Sequence, residues 1–179
     1  RGVGTSTNGA GAFGASVNIS TMTPPAEAGA AADMSYGSFS TSRLTAKAWT
    51  GMLADRFSMM VRASQIKSDG FIDHSKADIT SAMVSGIWSA PSDMIRFNII
   101  TGSQKTGISW WGVPAEVLPD NRRYNPAGEY TDNDGVTRYY EDETDVYAQN
   151  HYHLFHTHLF PGRVSLNTGL HLTTGRGYY

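Results

Sequence analysis

Cysteine is absent from the 179 residues, which excludes disulfide scaffolds, thiolate zinc sites and cysteine nucleophiles. An excess of one charge is absent too. Lys and Arg total 14 against 16 Asp and Glu, a net charge of -2, so the basic surplus of a nucleic-acid binder is missing and no such partner is expected. No run of 18 apolar residues occurs anywhere, which excludes a transmembrane helix. It does not exclude a transmembrane strand, which needs only about 9–11 residues and alternates apolar with polar. Aliphatic side chains are sparse for a compact soluble core, yet the low net charge argues against disorder. No signal-peptide pattern stands at the start of the sequence. Nucleophile elbow, zinc-binding helix motif and phosphate loop are all missing, so no enzyme, catalytic residue or cofactor is expected.

What fills the chain is Gly (19 residues), Ser, Thr and aromatic side chains, a mixture suited to short strands and turns. From about residue 28 the hydrophobic period is two. Phe57, Met59, Val61 and Ala63 alternate with Ser58, Met60, Arg62 and Ser64, and Ile95, Phe97 and Ile99 alternate with Arg96 and Asn98. Val164, Leu166, Leu170 and Leu172 repeat the pattern. Seven strands are predicted, near 28–38, 42–53, 56–71, 79–91, 93–107, 151–160 and 163–177. The connections at 53–56, 90–93 and 160–163 are tight, and they alternate with connections at 38–42, 72–78 and 108–150. Tight turns at one end and longer loops at the other mark an up-and-down outer-membrane barrel. Trp88 and Phe160, just before tight turns, suit an interfacial aromatic girdle.

The glycine-rich stretch 1–21, closing on Val17-Asn18-Ile19, resembles the end of the plug domain of TonB-dependent outer-membrane receptors. The series that follows is similar to that family's first barrel strands. Its pieces are Ser35-Tyr36-Gly37-Ser38-Phe39, Asp55-Arg56-Phe57-Ser58, Ser68-Asp69-Gly70-Phe71-Ile72-Asp73, Trp111-Gly112-Val113-Pro114, Arg123-Tyr124-Asn125-Pro126-Ala127-Gly128 and Gly175-Arg176-Gly177-Tyr178-Tyr179. The resemblance implies an all-β fold of antiparallel up-and-down strands from a large transmembrane β-barrel. Residues 1–25 would be the C-terminal remnant of the plug, and 26–179 the first seven or so strands, with a long extracellular loop near 108–150. It also implies energised nutrient uptake across the outer membrane of a Gram-negative bacterium. The partners implied are outer-membrane lipids, an unidentified nutrient ligand, and an inner-membrane TonB complex reached through an N-terminal region that this sequence lacks. A surface lipoprotein is a further candidate partner.

The 108–150 stretch carries nine acidic residues against Arg122, Arg123 and Arg138. It also carries Trp110, Trp111, Tyr124, Tyr139 and Tyr140, the candidate ligand contacts, since loops on a rigid scaffold commonly carry binding. The competing expectation is a self-packed loop whose tyrosines bury against one another. Asp132, Asp134, Gly135 and Glu141 sit at four positions of a calcium loop, but Tyr130 stands where its first carboxylate should be. A hairpin turning at Asp134-Gly135 is the simpler expectation. His151 and His153 share one strand face, and His156 and His158 share the other. With His171 they invite a metal reading, but two histidines without a carboxylate make a weak site, so no metal is expected. Residues 9–14 match G-x-G-x-x-G without the strand-turn-helix setting a dinucleotide needs. The alternative to a receptor is a soluble β-rich module that binds carbohydrate through its Trp and Tyr side chains.

Overall fold

A computed structural model describes residues 25–141, 143–162 and 164–179. The plug remnant expected over 1–25 falls, Pro25 apart, outside the described residues, as does the glycine motif at 9–14.

The two-residue period folds as strands, and no helix occurs among the described residues. Seven strands form one antiparallel meander: β1 (Gly29–Gly37), β2 (Thr41–Trp49), β3 (Phe57–Ser68), β4 (Ala77–Ser89), β5 (Asp93–Gly107), β8 (Thr144–Phe160) and β9 (Val164–Tyr178). Each pairs with its neighbour in that order, and the sheet stays open, with β1 and β9 as free edges. The connection from β5 to β8 holds a separate hairpin of β6 (Glu129–Thr131) and β7 (Thr137–Tyr139).

Two expected boundaries move. β8 begins at Thr144 rather than near 151, because 144–150 continue the ladder against 101–107 of β5, so the long loop ends at 143. That stretch, Thr-Asp-Val-Tyr-Ala-Gln-Asn, has too weak an apolar alternation to be read as a strand without its partner. β2 stops at Trp49, and residues 50–52 bulge around Gly51 (φ 68°) before Leu53 bridges to Phe57. The expected turn survives beyond the bulge: Ala54 and Asp55 both take positive φ. At the opposite end the connection expected near 38–42 is a short one. β1 and β2 are joined by Ser38, Phe39 and Ser40 alone, with Phe39 and Ser40 at φ 58° and 52°. Only the other two connections at that end are long.

The registers align one set of side chains across the whole sheet. Val61 lies opposite Val84 and Ala48, Val84 opposite Ile99, Ile99 opposite Tyr152, and Tyr152 opposite Leu172. One face therefore carries Ala, Val, Ile, Leu and aromatic residues through its middle on every strand. At its loop end stands the row Lys67, Asp78, Lys105, with Arg176 of β9 one pair nearer the middle, and at its turn end Asp93 with His156 and His158. Phe57, Trp88 and Phe160 lie on this face near the turn end. The other face holds Asp33, Arg43, Lys47, Arg62, Arg96 and Asp145, with rows of Ser, Thr and Asn between them.

Burial is inverted relative to a water-soluble sheet. The buried side chains within the strands, Thr45, Ser58, Met60, Ser85 and Asn98, all lie on the polar face. Hydroxyl and amide bonds knit that face, among them Ser85 Oγ to Asn98 Oδ1 (2.7 Å) and Ser64 Oγ to Ser81 Oγ (2.9 Å). On the apolar face Met34 is 84% exposed, Leu170 63% and Leu172 58%. The polar face has exposed apolar residues as well, chiefly Met94, Phe155 and Leu159, near the turn end.

Candidate functional site

The end of the sheet opposite the tight turns is capped by residues 108–143, and Asn125 is what holds the cap down. Its side chain is buried (2% exposed) and uses every polar atom it has. Nδ2 donates to the carbonyls of Asp73 and Ile108, each at 2.8 Å, and Oδ1 accepts from the Ala127 N–H at 3.1 Å. Arg123 adds a second tie to the β3–β4 connection: its Nε donates to the Phe71 carbonyl (3.0 Å) and its guanidinium pairs with Asp73 (3.0 Å). The Asp73 N–H donates in turn to the Arg123 carbonyl.

Within the cap, the five candidate aromatic residues fall into different settings rather than one site. Tyr124 and Tyr139 both donate to Glu129 Oε2, at 2.6 and 3.1 Å, and the Tyr139 ring stacks on His74 at 4.7 Å. They serve the cap's own architecture. Tyr140 stacks on Tyr130 at 4.5 Å but remains 60% exposed. It lines a crevice of about 650 Å³ at the loop end of the apolar face, together with Lys67, Lys76, Asp78, Lys105 and Glu141. Lys67 pairs with Asp78 there at 3.4 Å. Trp110 and Trp111 are 66% and 74% exposed, and Trp110 meets Tyr179, just beyond β9, at 6.4 Å, edge to face. Tyr124, Tyr130 and Tyr139 thus pack within the cap, while Trp110, Trp111 and Tyr140 keep most of their surface exposed.

The hairpin expected at Asp134-Gly135 is present. The Asp132 N–H donates to the Val136 carbonyl at 2.9 Å, and Gly135 turns the chain at φ 78°. Both oxygens of Asp132 are engaged, Oδ1 by the N–H groups of Asp134 and Val136, Oδ2 by Arg138. The Arg138 guanidinium and the Val136 N–H hold this carboxyl below its usual range. A carboxylate so committed makes a poor calcium ligand, and the hairpin accounts for the Asp-Gly pattern without an ion.

The Glu129 carboxylate beside the Tyr124 phenol pushes its pKa up to about 12, and burial raises Tyr139, with Glu129 adding to the effect. A raised phenol pKa means that the folded cap favours the protonated form. That contribution is fully present below pH 10 and is lost as pH climbs from 10 through about 12. The tyrosinate absorbance of the protein minus that of Tyr124→Phe is therefore expected to titrate near pH 12; a difference curve centred near pH 10 would show that the Glu129 bond does not form in solution.

At the opposite end of the apolar face the structure supplies what the histidine pattern lacked. Asp93, the first residue of β5, lies directly opposite His158 of β8, and its Oδ1 sits 2.7 Å from His158 Nδ1 and 2.8 Å from His156 Nε2. The carboxylate is 63 and 65 residues away from the two rings in sequence, so no local spacing announces it. On the polar face His171 lies opposite His153, and His151 Nδ1 bonds to Thr173 Oγ1 at 2.9 Å. No protein-family model, no curated protein and no solved structure matches the chain.

Proposed function

We propose that the chain is a membrane-spanning part of an outer-membrane β-barrel of the TonB-dependent receptor kind, and that it takes part in energised uptake of a nutrient. The observation that carries the membrane reading is the band on one face of all seven strands that is apolar through its middle and carries no charge between Asp93, His156 and His158 at one end and Lys67, Asp78, Lys105 and Arg176 at the other. On β5 the band runs between Asp93 and Lys105 through Ile95, Phe97, Ile99, Thr101 and Ser103. At about 3.3 Å per residue those twelve steps run roughly 40 Å, and a strand tilt of about 40° projects them to ~30 Å. A lipid-facing band about 25 Å tall fits within that height.

Both the inverted burial and the edges favour the same reading. In water an apolar face is covered by a second layer, whereas in lipid it faces the solvent directly. β9 offers Val164, Leu166, Leu170 and Leu172 beside unpaired backbone groups, which a further barrel strand would satisfy. The polar face would then line the lumen, where a plug or water meets Arg43, Lys47, Arg62 and Arg96. The cap would lie outside the cell, with Trp110, Trp111 and Tyr140 as its exposed ligand contacts. The resemblance of the sequence pieces to TonB-dependent receptors is what extends this reading from a barrel to a receptor, and the transport role rests on it.

The test is fractionation of the native protein that carries this segment. It is expected in the outer membrane, with an intact mass several times 19.4 kDa and faster gel migration before heating than after. A soluble product near 19.4 kDa that melts cooperatively without detergent would overturn the barrel and favour the carbohydrate-binding module.

A further inference from the structure

We infer that Asp93, His156 and His158 form a binding site for a divalent first-row transition ion at the turn end of the sheet. His156 and His158, two residues apart on β8, project from the same face, and β5 delivers a carboxylate to the same spot by register. One oxygen and two ring nitrogens lie within 4.8 Å of one another. Ligands around a tetrahedral zinc at about 2.0–2.1 Å stand roughly 3.3 Å apart, so the three atoms need only small side-chain rotations to close on an ion.

The scaffold limits how far they can stray. Ala90 and Asp93 exchange backbone hydrogen bonds across the tight turn, at 2.7 and 3.3 Å, and the Leu159 N–H donates to the Ser92 carbonyl at 2.8 Å. The His158 ring rests edge-to-face on Phe160 at 4.3 Å, which holds its Nδ1 toward Asp93. All three side chains remain partly exposed, 42% for His156, 30% for His158 and 31% for Asp93, so an ion can enter and water can complete its coordination.

The donor set selects the class of ion. Two imidazoles suit zinc, nickel and copper, whereas magnesium and calcium demand a set of oxygen ligands, of which this site provides a single carboxylate. Without an ion, each ring must place a proton on the nitrogen that faces Asp93. When an ion binds, a neutral ring shifts that proton to its other nitrogen by exchange with solvent, and a doubly protonated ring releases to solvent the proton that faced Asp93. The ion takes the freed lone pairs, and the carboxylate turns from hydrogen-bond acceptor to ligand. Binding would clip β8 to β5 beside the turns, independently of whether the apolar face meets lipid.

The experiment is a zinc titration of the metal-stripped, full-length protein in detergent against a chromophoric chelator. One equivalent of Zn2+ is expected to bind at this site. His158→Ala and His156→Gln should each weaken it by more than about 100-fold, the upper range for losing a mere supporting partner of a metal ligand. Asp93→Asn should weaken it too, while His171→Ala, on the opposite face, should leave it unchanged. Retained strand circular dichroism in His156→Gln and Asp93→Asn separates lost binding from lost folding. Absence of binding above the buffer, insensitivity to the His156 and His158 substitutions, or loss in His171→Ala instead would each overturn the assignment.

Discussion

In the proposed barrel, Val84→Arg is expected to cost about 2–4 kcal/mol of stability, the cost of a cation at the bilayer midplane. Val84 occupies the middle of the apolar band, between Val61 and Ile99, with charged groups of that face only at its far ends. The arginine cannot reach water along the strand as it could from a rim position, so its guanidinium stays in hydrocarbon or forces the bilayer to thin. At 1.4 kcal/mol per tenfold, the folded-to-unfolded ratio in lipid vesicles falls by roughly 30- to 700-fold. Gln149→Arg, on the polar face of β8, is the matched control and should cost far less. The measurement is the urea midpoint of the whole protein refolded into vesicles. Equal midpoints for the two variants would mean that the band does not face lipid. A surface substitution on a soluble sheet typically stays within about 0.5 kcal/mol, so the two environments are well separated.

Asn125→Ala should release the cap while leaving the sheet intact. The substitution strands two carbonyls, of Asp73 and Ile108, and the Ala127 N–H, in a place where Asn125 itself is only 2% exposed. Each unsatisfied buried group costs about 1–3 kcal/mol, less whatever water re-enters, so a net loss near ~3 kcal/mol is expected. Limited proteolysis of the whole protein should then cut within 108–143 about 100-fold faster, because local opening rather than global unfolding sets the rate. Asn125→Asp should be no better, since its second oxygen would face two carbonyls in place of a donor. Unchanged protease resistance in both variants would show that the Asp73 and Arg123 contacts hold the cap without Asn125.

The aromatic candidates show how far residue type alone reaches. Trp and Tyr in an acidic loop are reasonable ligand contacts, but the same phenol that can meet a ligand can also satisfy a neighbouring carboxylate. Glu129 takes both Tyr124 and Tyr139, and His74, from a different connection, stacks on Tyr139. Nothing in the spacing of Tyr124, Glu129 and Tyr139 reveals that one oxygen will serve both rings. The Asp-Gly turn was legible because its chemistry is local: Gly135 provides the positive φ, and the Asp132 carboxylate caps N–H groups two and four residues on.

What the amino-acid sequence determined by itself is the period. A strand puts alternate side chains on opposite faces, so Phe57, Met59, Val61 and Ala63, or Ile95, Phe97 and Ile99, are assigned to a common face within their own strands without any knowledge of neighbours. Alternation also placed the tight turns near 53–56, 90–93 and 160–163. Which residue lies beside which across the sheet was decided only by the tertiary structure, because register comes from the hydrogen-bond ladder between segments far apart in the chain. That ladder extends β8 back to Thr144, and it joins seven separate apolar stripes into one uncharged band. It also carries Asp93 to His156 and His158. A one-residue slip between β5 and β8 would send the carboxylate to the opposite face from the two rings, and the cluster would not exist.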